Sequence, residues 1–485
     1  MSIFKEQPDI PVTMSKSEID AKYKYWRLHL MIVSYIGYAV FYFTRKSFNF
    51  VMPEMLVDLG ITKADIGMVG TAFYLTYGAS KFLSGIIGDR SNPRYFMGIG
   101  LIATGVVNIL FGLTSSISMF IVLWMVNAFF QGWGWPPCAK ILNTWYSRNE
   151  RGLWWAIWNT SHNIGGAIIP ILSGGVALAL GWRYGMIIPG IIAIVIGIGL
   201  CILLRDRPRT MGLPTVGEWR NDLEELKYEA KGAGLPLGKI LNEYIFKNKV
   251  LWVLALSYAV IYIVRTGIND WANLYLIEEH GFNLLSANAV VMMFEIGGFF
   301  GAIVAGWGSD LIFKGNRAQM NVIYALGIII TSFCLWIVPV DNEYVFSFLF
   351  FMTGFFIFGP QFLIAMAAAE NSHKNAAGAS TGFVSLFAYI GASIAGYPLS
   401  IVIEKYQWNG FYSLLLALSI FLILLLIIAM VMTKKKVSVE GWFFYSVILN
   451  QAYDSRLGCL QTYLWICANK PDYLHRRPSK GRLFT

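Results

Sequence analysis

The chain has 485 residues, of which 56% are hydrophobic and 14% are charged, and its formal net charge at pH 7 is +10. Because a soluble protein of this length needs more charge on its surface, the composition excludes an ordinary soluble domain. The positive balance fits cationic cytoplasmic loops of a membrane protein better than nucleic-acid binding. The five cysteines are scattered and form no CxxC pair, which argues against a disulfide framework and a zinc site.

The first 26 residues are polar and lack the short apolar core of a cleaved signal peptide. Twelve apolar segments follow, each close to the roughly 20 residues that a membrane-spanning helix needs. They are 28–52, 65–88, 95–114, 118–142, 153–179, 183–204, 250–277, 286–309, 319–338, 344–368, 377–402 and 409–432. The sequence therefore predicts an all-α polytopic membrane protein.

A polar stretch rich in Glu, Lys and Arg separates the sixth segment from the seventh, so the chain divides into two six-helix halves. The expected organisation is a cytoplasmic N-terminal segment (1–26), an N-terminal six-helix bundle (27–204), a cytoplasmic linker (205–249), a C-terminal six-helix bundle (250–432) and a cytoplasmic tail (433–485). Lys and Arg cluster after the even-numbered segments, whereas the loop after the seventh carries Glu278 and Glu279. Both termini should therefore be cytoplasmic.

The two halves repeat each other at a nearly constant spacing. Arg45, late in the first segment, has a counterpart in Arg265, 220 residues further on and late in the seventh. The motif GIIGD at Gly85–Asp89 recurs as GWGSD at Gly306–Asp310, with an offset of 221. Two parallel six-helix repeats with a ligand site between them are typical of the major facilitator fold.

Arg45 and Arg265 are the main candidates for ligand binding. A guanidinium is charged at any relevant pH, and a charge at bilayer depth costs at least ~2.5–3.5 kcal/mol on insertion scales. One such Arg could reach an interface or pair with a carboxylate, but two at symmetric positions indicate a shared ligand. Because guanidinium groups form bidentate, charge-assisted bonds with phosphate oxygens, we expect a phosphate or a phosphate ester.

Lys46 needs a different explanation, because it lies about 100° around the helix from Arg45 and cannot point at the same spot. We expect Lys46 to pair with Asp270 or Glu295 of the other half. Such a buried pair is weak evidence for stability. It can still bias which of two conformations is populated, and so act as a latch between the halves.

Two further ionisable side chains, Lys81 and His162, interrupt apolar segments. Each could be a satisfied interior polar group. Alternatively, Lys81 adds positive potential to a central cavity, and His162 binds the ligand according to its protonation state. Four tyrosines could line the same cavity and bond phosphate oxygens or sugar hydroxyls, although aromatic packing explains any one of them nearly as well. They are Tyr38, Tyr42, Tyr77 and Tyr389.

A motif at the cytoplasmic end of the second segment predicts a gate. In GIIGDRSNPR, Asp89 stands close to Arg90 and Arg94, and charge contacts among them can hold the cytoplasmic side shut. The related stretch GWGSDLIFKGNR places Asp310 at the matching position of the second half. This repetition makes an ordinary solvated loop the weaker interpretation.

The stretch RGLWWAIWNTSHNIGG, Arg151 to Gly166, fits the pattern R-G-x5-W-N-x2-H-N-x-G-G. Together with RKSFN near residue 45 and VRTGINDW near residue 265, it resembles the organophosphate:phosphate antiporter family of the major facilitator superfamily. That family transports glycerol phosphate, hexose phosphates and phosphoglycerates.

This resemblance implies roles for individual side chains. Arg45 and Arg265 would bind phosphate, and His162 and Lys81 would face the cavity. Lys46 and Asp270 would form an ion pair between the halves, with Glu295 nearby.

Within that family the likeness is strongest to the branch of the hexose-phosphate sensor, over roughly residues 14–432. The hexose-phosphate carriers have an Asp and a Lys in the eleventh helix, where this chain has Thr381 and Val384. The resemblance implies one of two functions in a bacterial inner (plasma) membrane. One is a carrier that exchanges glucose 6-phosphate for inorganic phosphate by alternating access. The other is a receptor that senses external glucose 6-phosphate and activates a membrane histidine kinase controlling hexose-phosphate uptake.

An enzyme is the third class, and the sequence disfavours it. A membrane-embedded phosphatase needs a nucleophile or a metal cluster, but no two histidines share metal-ligand spacing with a carboxylate. We therefore expect no catalytic residues, no metal and no cofactor.

The tail from residue 437 to 485 departs from the family. It has neither a clear amphipathic period nor an apolar run long enough to span, so it could be disordered or lie on the membrane surface.

Overall fold

A computed structural model describes residues 7–454, apart from residues 90 and 224 and the segments 227–239, 314–316, 339–341 and 373–376. The described residues form helices and loops without a β-strand. The chain divides into two compact units, Met1–Ile428 and Ala429–Thr485.

In the described part of the chain, eight helices form the N-terminal bundle and six the C-terminal bundle. The N-terminal helices are α1 (Lys16–Leu59), α2 (Lys63–Asp89), α3 (Pro93–Gly112), α4 (Ile117–Gln131), α5 (Trp135–Trp145), α6 (Arg148–Asn159), α7 (Ser161–Leu180) and α8 (Trp182–Leu203). A 3₁₀ turn (Pro208–Met211), α9 (Val216–Arg220) and a π-helical turn (Ile240–Phe246) occupy the linker. The C-terminal helices are α10 (Lys249–His280), α11 (Leu284–Leu311), α12 (Arg317–Ile337), α13 (Glu343–Glu370), α14 (Ala377–Ile394) and α15 (Tyr397–Asp454).

The first helix shows how local sequence sets helix boundaries. The Ser15 side chain accepts a hydrogen bond from the Glu18 amide, and the Glu18 carboxylate accepts one from the Ser15 amide, which is a capping box. Gly60 ends α1 in the left-handed conformation with φ +61°. The first apolar segment was expected to end at residue 52, but α1 continues through Pro53 to Leu59. Membrane helices tolerate an internal proline when neighbouring helices satisfy the freed backbone groups.

Three other predicted segments differ from the observed helices. The fourth segment breaks at 132–134, where Gly-Trp-Gly separates α4 from α5, and the fifth breaks at Thr160 between α6 and α7. The eleventh ends at Ile394 rather than at residue 402, and α15 begins at Tyr397. Gln407, with φ +55° and ψ −165°, interrupts α15 close to the expected start of the twelfth segment. Apolar composition alone marks none of these breaks.

Nine helical stretches in the described part of the chain are long and apolar enough to cross a membrane. The last of them, Ala379–Thr433, has 55 residues, more than twice the roughly 20 that one crossing needs. Two long helices, α1 and α2, fall outside this group. They carry the interior cations Arg45, Lys46 and Lys81.

The internal repeat is also visible in how helices cross. A Cβ placed on Gly165 of α7 would stand 2.2 Å from the carbonyl oxygen of Ala39 in α1. A Cβ placed on Gly391 of α14 would stand 2.2 Å from the carbonyl oxygen of Ala259 in α10. The two alanines are 220 residues apart, like the two candidate arginines. Thus α1 crosses α7 as α10 crosses α14, and each crossing requires glycine.

The first part of the linker is attached to the N-terminal bundle. Arg151 Nη2 lies 2.8 Å from Glu225 Oε1, and the Trp219 indole donates to Asp20 Oδ1 over 2.6 Å. The Trp219 and Tyr23 rings stack with their centroids 4.2 Å apart. This part of the linker is therefore packed against α1 and α6.

The second unit begins at Ala429, and its described residues are helical. The backbone of the tail is helical as far as Asp454. The remainder, 455–485, lies outside the described residues.

Candidate functional site

A cavity lies between the two bundles and contains about 820 Å³ of empty space, part of it continuous with solvent. The lining is mainly aromatic and cationic, and it includes all eight residues that we expected to bind the ligand. They are Tyr38, Tyr42, Arg45, Tyr77, Lys81, His162, Arg265 and Tyr389.

Arg45 is held in the cavity by neutral side chains. Its Nε donates to Gln131 Oε1 over 3.1 Å, and its Nη2 donates to the Tyr77 hydroxyl over 3.0 Å. The guanidinium carbon lies 4.4 Å from the centroid of the Tyr42 ring and 4.6 Å from that of Tyr77. These partners orient the guanidinium without neutralising it, so its charge remains available to an anion.

Gln131 is a residue that sequence reasoning missed. Its amide nitrogen donates to the Phe41 carbonyl over 3.1 Å and to Thr44 Oγ1 over 2.9 Å. Both partners belong to α1, one turn before Arg45 and immediately before it. Gln131 is therefore fixed by the helix that carries Arg45, and its oxygen is aimed at Nε. A neutral amide in an apolar segment gives no charge signal by which to find it.

Arg265 approaches the cavity from α10 and is less completely bonded than Arg45. Its guanidinium carbon lies 4.7 Å from the Phe358 ring centroid and 5.7 Å from that of Tyr262. Its Nε is buried and has no hydrogen-bond partner among the described residues. A buried donor without a partner is unfavourable by about 1–3 kcal/mol, so an anion that accepts this bond is stabilised.

His162 and Lys81 contribute polar atoms to the same cavity. His162 Nδ1 contacts the Asn159 carbonyl oxygen. Because a carbonyl oxygen only accepts, Nδ1 carries a proton, and Nε2 can accept a bond in the neutral ring or donate one in the charged ring. Lys81 Nζ donates to the Tyr389 hydroxyl over 3.2 Å and lies 5.8 Å from the Trp135 ring centroid.

Lys46 joins the two bundles beside the cavity. Its Nζ lies 3.0 Å from Asp270 Oδ1 and also contacts Asn269 Oδ1. The Tyr74 hydroxyl donates to the other Asp270 oxygen over 2.6 Å. Of the two partners considered for Lys46, the structure therefore uses Asp270.

Glu295 does not pair with Lys46, the partner considered for it, but is bonded to two asparagines. Its carboxylate accepts hydrogen bonds from the amide nitrogens of Asn163, over 3.4 Å, and Asn269, over 3.3 Å. Only 2% of Glu295 is exposed, and a Cβ on Gly166 would stand 2.9 Å from its carboxyl carbon. Glu295 thus packs against α7 of the opposite bundle and does not line the cavity.

Further contacts between the bundles seal one end of the cavity. Asn273 Nδ2 donates to the Asn49 carbonyl over 2.7 Å, and Asn288 Nδ2 donates to the Phe50 carbonyl over 3.2 Å. Lys63 and Glu278, 2.7 Å apart, join the bundles at the rim. These residues lie where α1 meets α2 and α10 meets α11, so the seal is on the side of loops 60–62 and 281–283.

The residues expected to form a gate contact their own bundles. Arg94 Nε donates to the Cys201 carbonyl, near the C-terminus of α8, where the helix dipole favours a cation. Asp310 pairs with Arg317 over 2.5 Å. The Asp89 side chain and residue 90 lie outside what the structure describes. In this conformation the described contacts of Arg94 and Asp310 stay within their own bundles, and the cytoplasmic gate remains a prediction.

Comparison with known proteins places this arrangement among membrane transporters. The family described as Major Facilitator Superfamily matches residues 34–396. The chain is 56% identical over 412 residues to the membrane sensor protein UhpC of Escherichia coli K12, covering 85% of this chain and 94% of that protein. It is 48% identical over 421 residues to a probable hexose phosphate transport protein of Chlamydia trachomatis, covering 84% and 91%.

The fold is also similar to that of a solved structure. The crystal structure of a bacterial homolog to the human lysosomal transporter Spinster, inward-facing and unoccupied, matches with a TM-score of 0.66 at 13% identity. The match covers 84% of this chain and 96% of that one.

Proposed function

Because the chain belongs to the Major Facilitator Superfamily, and within it to the organophosphate:phosphate antiporters, we propose that it transports a hexose 6-phosphate. The ligand, glucose 6-phosphate by preference, binds in the cavity between the two bundles. It is exchanged for inorganic phosphate as the bundles rock between inward-facing and outward-facing states.

The observation that carries this proposal is the position of the two arginines. Arg45 and Arg265 come from different bundles and line one cavity, and Arg265 Nε is buried without a partner among the described residues. Two guanidinium groups suit a phosphate, which accepts several charge-assisted hydrogen bonds at once. Lys81 adds positive charge, while His162 and the cavity tyrosines supply hydrogen bonds to phosphate oxygens or sugar hydroxyls.

The charges of the two arginines also explain why the sugar phosphate is exchanged for phosphate. Closing the cavity at both ends while it is empty would remove the arginines from water without compensation, which is costly at bilayer depth. A bound anion removes that penalty, so the occluded state is crossed only when the site is loaded. A sugar phosphate that leaves on one side must therefore be replaced by phosphate returning from the other.

Alternating access requires two seals on opposite sides of the site. We assign Lys46–Asp270, with Glu295 nearby, to the external seal, which is closed in this conformation. In the alternative conformation, Asp89, Arg90, Arg94 and Asp310 would form the cytoplasmic seal.

The proposed membrane arrangement has twelve crossings and two cytoplasmic termini. The nine apolar stretches, together with α1, α2 and a second crossing within Ala379–Thr433, make up this number. The N-terminal bundle then covers residues 27–204 and the C-terminal bundle 250–432, joined by a cytoplasmic linker at 205–249 and flanked by cytoplasmic segments at 1–26 and 433–485. We place the protein in the bacterial inner membrane.

The test is uptake of labelled glucose 6-phosphate into liposomes that contain the purified protein. We expect uptake when phosphate is trapped inside and little when it is omitted. Arg45→Lys and Arg265→Lys, which keep the charge but lose the planar fork, should each reduce uptake strongly. Uptake that is independent of internal phosphate would rule out exchange, and full activity of both lysine variants would rule out bidentate phosphate binding.

A second candidate function is sensing. This chain is more similar to a protein named as a membrane sensor, at 56% identity, than to one named as a probable hexose phosphate transport protein, at 48%. By the resemblance described in the sequence, Thr381 and Val384 also stand where the hexose-phosphate carriers have an Asp and a Lys. A sensor would use the same cavity and the same shift in population between two states, passing the change to a membrane histidine kinase. A neighbouring gene for a histidine kinase with several membrane spans favours this alternative.

A further inference from the structure

Gln361 is a cavity residue that none of the functional assignments above uses. It lies on α13 of the C-terminal bundle and lines the central cavity. Its side-chain oxygen is buried and has no hydrogen-bond partner among the described residues. A buried acceptor without a partner is unfavourable by about 1–3 kcal/mol, so a ligand group that donates to it is favoured.

The backbone around Gln361 is closely packed. Pro360 precedes it inside α13, and a Cβ on Gly359 would stand only 2.2 Å from the Tyr324 ring. The helix is therefore pressed against α12 at this point. This close packing fixes where the Gln361 backbone stands at the cavity wall, which suits a residue that recognises a ligand.

Gln361 also has a definite position relative to the arginines. Phe358, three residues earlier on the same face of α13, lies beneath the Arg265 guanidinium at 4.7 Å and stacks with the His162 ring at 6.1 Å. Three residues of α-helix advance about 4.5 Å. Gln361 thus lies nearly one turn beyond the phosphate-binding groups, away from the sealed end, at a distance comparable to the size of a sugar ring.

We infer that Gln361 determines specificity for the sugar part of the ligand by accepting a hydrogen bond from a sugar hydroxyl. The inference rests on the proposed function, because it requires the phosphate to lie between Arg45 and Arg265. Inorganic phosphate occupies only the arginine end and does not reach Gln361. A hexose 6-phosphate satisfies both ends of the cavity, which favours it over phosphate alone.

The test compares two ligands with one pair of matched variants. Gln361→Met keeps the length of the side chain and removes the amide, and Gln319→Met makes the same change on α12, outside the cavity lining. Binding of glucose 6-phosphate and of inorganic phosphate to the full-length purified protein is measured by isothermal titration calorimetry. We expect Gln361→Met to weaken the binding of glucose 6-phosphate about tenfold, which is the effect of one lost hydrogen bond. The affinity for inorganic phosphate should not change.

The outcomes separate this inference from the proposed function. If Gln361→Met weakens the binding of glucose 6-phosphate and of phosphate equally, or weakens neither, Gln361 does not recognise the sugar. Gln319→Met should bind both ligands as the wild type does, and an equal loss of glucose 6-phosphate binding in this control also overturns the inference. A wild-type protein that binds neither ligand overturns the proposed function first. Should Gln361→Met misfold, Gln361→Glu keeps an acceptor and should retain the preference for the sugar phosphate over phosphate, whereas loss of that preference contradicts the inference.

Discussion

Lys46 Nζ lies 3.0 Å from Asp270 Oδ1, and this ion pair joins the N-terminal bundle to the C-terminal bundle beside the cavity. Only 9% of the Lys46 side chain and 16% of the Asp270 side chain are exposed. Removing one partner from such a pair leaves the other charge buried and uncompensated. The protein can avoid this desolvation penalty by separating the bundles at the sealed end, because water then reaches the remaining charge.

Asp270→Asn should therefore shift the population toward the state in which the sealed end is open. The reporter is Ser393→Cys in a variant without the five native cysteines, because Ser393 is 6% exposed at the contact with α2. We expect labelling by a membrane-impermeant maleimide to become several-fold faster, the change produced by about 1 kcal/mol. An unchanged labelling rate would mean that the ion pair does not hold the bundles together.

A second ion pair, at the rim of the same seal, should act more weakly. Lys63 Nζ lies 2.7 Å from Glu278 Oε2, which also accepts from the Trp408 indole over 3.0 Å. The exposed fractions of the Lys63 and Glu278 side chains are 18% and 34%, higher than for the inner pair. Exposed pairs contribute about 0–1 kcal/mol and are screened by salt.

We expect Lys63→Met to accelerate labelling of the same reporter less than Asp270→Asn does. Raising the ionic strength should shrink the effect of Lys63→Met and leave that of Asp270→Asn largely intact. Equal salt sensitivity of both variants would contradict the different burial of the two pairs.

Gln131 offers a test of how Arg45 is oriented. Gln131→Leu removes the acceptor of Arg45 Nε, so the apparent affinity for glucose 6-phosphate in uptake should fall about tenfold, as for one lost bond to a charged group. Gln131→Glu keeps the shape but places a carboxylate 3.1 Å from Nε, where it pairs with the guanidinium. Uptake by this second variant should be nearly abolished, because the ligand phosphate must compete with a fixed anion.

A Gln131→Glu variant with normal uptake would show that Arg45 does not hold the phosphate. Matched circular dichroism spectra and elution volumes would confirm that the variants are folded.

How much of this site the sequence revealed depends on the chemistry of each residue. Five ionisable groups lie inside apolar segments, where the free-energy cost of burying a charge makes them easy to recognise. They are Arg45, Lys46, Lys81, His162 and Arg265. The two halves were recognisable because Arg45 and Arg265 repeat at a constant spacing.

Other contributors were not accessible in this way. Gln131, Gln361 and Phe358 are neutral, and their importance arises only when separate helices bring them together. The choice between Asp270 and Glu295 as the partner of Lys46 was also undetermined, since both lie in the correct half. Which carboxylate pairs with Lys46 depends on which sides of α10 and α11 face α1. In the structure, Asn163 and Asn269 bond to Glu295, and Asp270 is left to pair with Lys46.

The paired glycine crossings permit a prediction about stability. Gly165 and Gly391 are the points where α7 and α14 touch the carbonyl groups of Ala39 and Ala259, so neither position can hold a Cβ without moving a backbone. Overpacking of this kind typically costs about 1–3 kcal/mol, and rigid backbone neighbours place it at the upper end. Gly165→Ala and Gly391→Ala should each lower the melting temperature in detergent by several degrees, about what that free energy produces in a large protein.

The same helices supply controls for this prediction. Gly175 on α7 and Gly382 on α14 have no heavy atom within 4 Å of an added Cβ. Alanine at these positions favours the helix by about 1 kcal/mol relative to glycine, so the melting temperature should be unchanged or slightly higher. If Gly165→Ala were as stable as Gly175→Ala, α1 and α7 could not be in backbone contact. Because α1 carries Arg45 and α7 carries His162, the spacing of these two groups across the cavity depends on that contact.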